Sequence, residues 1–184
     1  AAEDPAVRAK VPDMAGLFRR LLARLEREPI SVEIEDRRTK SRVRVPVGKF
    51  GLQVLVRIDI GDGNDFPEFP ALFHSIDRGD TSLLARYVER RYNQFGAGVS
   101  AMSAVMDLAS GATAERLARI RREARDSAFG NVMNFPDMST GDMWGAPDLG
   151  DAYRAPIVTG VRTLFVSGTL DANTPPYQAE ELRW

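Results

Sequence analysis

Asp171 is the residue of this sequence whose setting points most directly to chemistry. It stands in the stretch TLFVSGTLDANTPP, residues 163–176. The run Thr163-Leu164-Phe165-Val166 is apolar and rich in β-formers, the pattern of a strand buried on both faces. Ser167-Gly168 breaks that run, and Asn173-Thr174-Pro175-Pro176 reads as a turn delivering the chain into a helix from Tyr177 onward. An acid at the C-terminal end of a buried parallel strand lies where open α/β sheets place their chemistry. There a carboxylate can orient an imidazole and stabilise its cation while a nucleophile attacks. The residues alone fit an ordinary strand, turn and helix with a surface Asp equally well.

Such a carboxylate needs a nucleophile and a base. A serine nucleophile on a strained strand–helix turn is written G-x-S-x-G, and no serine here satisfies it. Gly98-Val99-Ser100-Ala101-Met102 lacks the second glycine. The preceding Arg91-Tyr92-Asn93-Gln94-Phe95 does not make a buried strand, so Ser100 reads as structural. The sole histidine, His74, lies on a helical stretch well away from the apolar stripe of Phe69, Leu72, Phe73 and Ile76. It reads as a surface residue. The lack of cysteine excludes a zinc-thiolate site, and a single histidine argues against a transition-metal site. Carboxylate-only binding of Mg or Ca stays open, although Gly61-Asp62-Gly63-Asn64-Asp65 fails the EF-hand spacing and reads as a plain loop. No cofactor is implied.

The elements that would position these residues begin with a polar, proline-punctuated segment over residues 1–12. Asp13 caps a helix over about Met14 to Glu28, ended by Pro29, with Leu17, Phe18, Leu21, Leu22 and Leu25 on one face. Alternation at Ile30, Val32 and Ile34, and again at Val43, Val45 and Val47, predicts a half-exposed hairpin around the basic turn Arg37 to Lys40. Phe50 to Ile60 reads as a helix, and residues 67–77 and 81–95 as two more amphipathic helices. In the latter, Leu83, Leu84, Tyr87, Val88 and Arg91 share a side. Arg78-Gly79-Asp80 between them is a helix end followed by a cap. Val99 to Ala109, small and apolar, fits a strand or a buried segment. A charged helix over about Ala114 to Ala128 follows, capped by Thr113 and ended by Gly130. Residues 131–160, with Pro136, Pro147 and Pro156, predict irregular chain.

The 184 residues suffice for one domain or one and a half. Lys and Arg number 25 against 26 Asp and Glu, so no net field recruits nucleic acid or a membrane surface. No apolar run approaches the ~20 residues of a membrane span. The start, Ala1-Ala2-Glu3-Asp4-Pro5, lacks the pattern of a signal peptide, and both ends look cut.

The stretch around Asp171 closely resembles the acid-bearing loop of α/β-hydrolases, in particular the tripeptidyl-aminopeptidase-like and proline-iminopeptidase-like branch. DPAVRAKVPDM (4–14) resembles that family's start of the cap. VMDLASGATAERLARIRREA (105–124) resembles its re-entry segment, and APDLGDAYRAPIVTGVRTLFVSGTLD (146–171) the approach to the acid. The resemblance implies a partial α/β-hydrolase fold: a helical cap over residues 1–95, then a return to the core over 96–184 with the strand bearing the acid. It implies a Ser-Asp-His serine peptidase acting on a short peptide or aminoacyl substrate through an acyl-enzyme, with Asp171 the triad acid. The family order is Ser, cap, Asp, His, so the nucleophile is expected upstream of Ala1 and the base beyond Trp184. His74 is in the wrong order, and this chain by itself is expected to be inactive. Relatives often carry cysteine pairs near Ala1 or Ala2 and Val7, and near Leu108 and Met138; all are replaced here. An aminopeptidase must also recognise a substrate ammonium. Asp107 is a candidate for that, with a solvated turn carboxylate as the other reading. Two rivals stand: an esterase or other small-molecule hydrolase of the same fold, and a non-catalytic helical binding module. The compartment is open, with the periplasm or secretion suggested by the family.

Overall fold

A computed structural model describes residues 4–98, 101–135, 145–169, 171 and 174–181. The chain divides into two compact units, Ala1–Val99 and Ser100–Trp184.

In the first unit, local signals set most element boundaries. Helix α1 (Pro5–Lys10) starts where the Asp4 carboxylate accepts from the amides of Ala6 and Val7, at 2.9 and 3.1 Å, with Pro5 in the first turn. The polar, proline-punctuated composition of residues 1–12 predicts no helix here. Helix α2 (Met14–Arg27) is capped by Asp13, which accepts from the Gly16 amide at 2.8 Å. It ends at an extended Glu28 because Pro29 disfavours a helical predecessor. Its leucines and Phe18 are buried at helical spacing. Strands β1 (Ile30–Asp36) and β2 (Ser41–Val47) form an antiparallel hairpin in the register Val32↔Val45 and Ile34↔Val43. Val32 and Ile34 face the core, while Glu33 lies opposite Arg44 and Glu35 opposite Arg42 on the wet side.

Helix α3 (Lys49–Asp59) buries Leu52, Leu55 and Val56. A 3₁₀ turn (Phe66–Glu68) leads into α4 (Phe69–Asp77), and α5 (Ser82–Gly96) completes the unit. Helix α2 packs on α3 and α4, and α5 lies along β1. The Phe73 ring stacks between Phe18, at 5.0 Å between centroids, and Phe69, at 5.9 Å. Leu25, Ile34, Leu52, Leu72, Ile76 and Leu84 have no exposed surface, and each such side chain stabilises the fold by about 1.5–3 kcal/mol. Arg24 donates to the carbonyl of Ile76 at 2.7 Å and closes the end of α4.

The second unit contains α6 (Ala101–Ser110), α7 (Ala114–Asp126), a 3₁₀ turn (Gly130–Asn134), α8 (Gly150–Arg154) and α9 (Pro176–Glu181). Thr113 caps α7 by accepting from the Arg116 amide at 3.3 Å. Among its described residues Val132 alone is a buried apolar side chain.

Three sequence expectations are corrected. The partial α/β-hydrolase fold is overturned: the structure is mostly helical (59%), and among the described residues the sheet is the two-stranded antiparallel hairpin, with no parallel core strands. Thr163–Val166 forms no strand. Leu164 and Val166 are each 86% exposed. An apolar run of β-formers becomes a strand only where a neighbouring strand offers a ladder and a pleated surface to pack on, and no described segment does so. The segment before Ala109 is helix α6, with no buried residue. Ala, Met and Leu dominate it, and these unbranched side chains favour a helix.

Candidate functional site

Asp171 sits half-buried on the turn before α9. Its amide donates to the carbonyl of Gly168 at 3.1 Å, which tightens the turn after the exposed run. Its carboxylate accepts from the amide of Thr174 at 2.9 Å and from the Thr174 hydroxyl at 2.5 Å. This is the turn chemistry expected of an Asp a few residues before a helix. Ser167 on one side of it in sequence and Pro176 on the other both line a groove of about 960 Å³. Thr163, Phe165, Glu180 and Glu181 also contribute to that groove.

Arg154 borders the same groove and is held from three directions. Its Nε donates to the carbonyl of Ser110 at 2.7 Å, one Nη reaches Asp151 at 3.1 Å, and the other pairs closely with Asp148. The bond to Asp148 does most to raise the pKa of Arg154, against the opposing effect of burial. The Gly150 amide, then the guanidinium, hold the Asp148 carboxyl below its ordinary range. Gly111 makes this packing possible. Its φ of +54° is left-handed, and a Cβ there would lie 2.6 Å from an Arg154 Nη. Arg154 thus fastens α8 to the C-terminal end of α6 and leaves little charge free for a ligand.

Asp107, the candidate ammonium ligand, lies on α6 and is exposed. Its carbonyl accepts from the Gly111 amide at 2.9 Å. His74 is half-buried in the last turn of α4, in the first unit. Ser100 lies outside the described residues, as do Leu170, Ala172 and Asn173 beside Asp171.

Sequence reasoning missed a buried ionic cluster in the first unit. Asp59, at the end of α3, has no exposed surface. Arg90 Nη2 meets its Oδ1 at 3.0 Å, while Arg90 Nη1 meets Asp65 Oδ1 at 2.7 Å. Arg91 pairs closely with Asp59 and reaches Asp65 Oδ2 at 3.7 Å. Asp59 Oδ2 and Arg91 Nε remain buried without a partner. The hydrogen bond that Arg90 donates to Asp65 raises the pKa of Arg90, whereas burial lowers that of Arg91. Removing one member of such a group leaves the other charge uncompensated and costs about 3–5 kcal/mol. The signal was in the sequence: Arg91 shares the apolar side of α5 with Leu84, Tyr87 and Val88. A charged residue on a core-facing stripe calls for a buried partner.

Among the described residues no three metal-ligating side chains converge, and no helix is long and apolar enough to cross a membrane. Compared with protein-family models, curated proteins and solved structures, the chain matches none.

Proposed function

We propose that Asp171 is the acid of a Ser-Asp-His hydrolase of the tripeptidyl-aminopeptidase-like kind, acting on a peptide or aminoacyl substrate. The observation that carries the reading is the carboxylate's setting, on a turn with Ser167 and Pro176 lining a groove on either side of it in sequence. Thr174 orients both carboxylate oxygens. In that role Asp171 would hold the imidazole tautomer and stabilise the imidazolium formed as serine attacks. The chain has no G-x-S-x-G serine, and its histidine precedes Asp171. The nucleophile and base of this proposal therefore belong to a longer polypeptide carrying this segment. The proposal rests on residue chemistry and requires no parallel sheet within these residues.

One observation favours the rival of a non-catalytic module. Bonds to Thr174 are also all that an Asp capping a turn requires, and the neighbouring Leu164 and Val166 offer exposed apolar surface.

The two readings separate in the full-length polypeptide. Asp171→Asn should lower turnover at least ~10²-fold with little change in the Michaelis constant, because an amide favours the wrong tautomer. The same change in a serine protease triad costs about 10⁴. Asp107→Asn, if Asp107 holds the substrate ammonium, should mainly raise the Michaelis constant. Aminoacyl amides against simple esters distinguish the peptidase from the esterase. Near-normal turnover in a folded Asp171→Asn protein would make Asp171 a turn residue.

A further inference from the structure

The first unit carries a second groove, of about 900 Å³, between the tip of the β1–β2 hairpin and the C-terminal half of α5. Its walls are tied together by two side chains of α5, Asn93 and Glu89. Asn93 Oδ1 accepts from the Arg37 amide at 2.7 Å, while Asn93 Nδ2 donates to the carbonyls of Glu35 at 2.8 Å and Glu89 at 2.9 Å. The Glu89 carboxylate adds a bond from the Glu35 amide at 3.0 Å. The hairpin end is thereby fixed on the helix, so the groove is formed without a ligand.

The charges that line it are unequally satisfied. Arg90 and Arg91 are taken up by Asp59 and Asp65. The Asp36 carboxylate accepts from the amides of Arg38 at 2.8 Å and Thr39 at 3.3 Å. Its contact with the Arg38 guanidinium is loose, at 3.9 Å, and the Arg38 side chain is 78% exposed. Among the described residues none accepts from the Arg37 guanidinium. Arg37 and Arg38 against Asp36 leave one net positive charge, and the carbonyl end of α5 tempers it further. That balance suits a monoanion better than a phosphate dianion. Guanidinium groups match a carboxylate in bidentate geometry. The rings of Tyr92 and Phe95, 37% and 47% exposed, complete the lining with apolar surface.

We propose that this groove binds a monocarboxylate bearing an aromatic or large apolar group, its carboxylate held by Arg37 and Arg38 and its apolar part lying on Tyr92 and Phe95. The ligand is either a small free acid or the carboxylate end of a peptide. The site is independent of any role for Asp171.

N-acetylphenylalanine, its amide, inorganic phosphate and N-acetyl-Ala-Ala-Phe with a free C-terminus are titrated into the protein at low salt and followed by amide chemical shifts. The acid should shift the amides of residues 36–39 and 91–97, and the amide compound should bind about tenfold more weakly or worse, the loss of one charged hydrogen-bonded contact. The Arg37→Ala/Arg38→Ala variant should lose binding to the same degree while its thermal melt is unchanged, since both side chains are exposed. Phe95→Ala should weaken N-acetylphenylalanine but leave acetate unaffected. Tighter binding of the peptide than of the small acid identifies a chain end as the source, and equal binding a free acid. The proposal is overturned if acid and amide bind alike, if phosphate binds as well as the acid, if the double variant binds normally, or if no shifts appear at millimolar ligand.

Discussion

Tyr87 shows how a single side chain reports the polar interior of the first unit. It is 3% exposed, its hydroxyl lies 3.1 Å from Glu68 Oε2, and the Arg90 guanidinium stands 4.9 Å over its ring. Burial, then the Glu68 carboxylate, push its pKa up to about 12. An unfolded tyrosine titrates near ~10. Between those values the folded state holds a phenol proton that the unfolded state has released. Its contribution to stability is therefore complete below pH ~10 and is lost as the pH rises toward about 12. An absorbance titration of phenolate in the folded protein should show a late ionisation step, that of Tyr87, at about pH 12. Tyr87→Phe should abolish that late step and flatten the alkaline fall in stability. A protein still folded at that pH and showing no such late step would contradict the burial of Tyr87.

At the scale of elements, Thr163–Val166 is a strand-forming run without a sheet. Its side chains are exposed, and it lies on the path to Asp171. An extended apolar run with open backbone donors and acceptors is a ready template for pairing with another chain. Leu164→Lys/Val166→Lys should reduce concentration-dependent scattering while changing helicity little, with stability altered by no more than about 0.5 kcal/mol. Loss of helical signal in that variant would mean the run is packed within the protein. The hairpin makes the contrast. Its runs of Val and Ile are no more β-forming, but each has the other as a partner, and α5 covers the inner face.

Across the whole molecule the buried surface is divided unequally. Among the described residues, nineteen of the twenty buried apolar side chains belong to Ala1–Val99, and Val132 is the remaining one. Stability follows buried apolar area and its packing. Residues 1–99 expressed alone should melt cooperatively, with slow amide exchange in α2, β1, α4 and α5. Residues 100–184 alone should show no cooperative melt, and the amides of 157–166 should exchange near their intrinsic rates in the intact chain. A fragment of residues 1–99 that fails to fold would place essential contacts outside this unit.

What the sequence by itself determined is the local structure of the first unit. Asp13, Pro29, the leucines of α2, the alternation of β1 and β2 and the basic turn at Arg37 to Lys40 all act within a few residues of one another. Caps, periodicity and turn chemistry read such short distances directly. The pairing of Asp59 with Arg90 and Arg91 spans some thirty positions. Only the packing of α5 beside the end of α3 brings these charges together, although Arg91 on an apolar stripe announced that a partner was needed. The apolar runs before Ala109 and at Thr163–Val166 were misread for one reason. A short apolar run does not specify whether it is helix, buried strand or exposed chain. The neighbour that would decide it is a tertiary fact: α6 follows its own helix propensity, and Thr163–Val166 has no described strand to pair with.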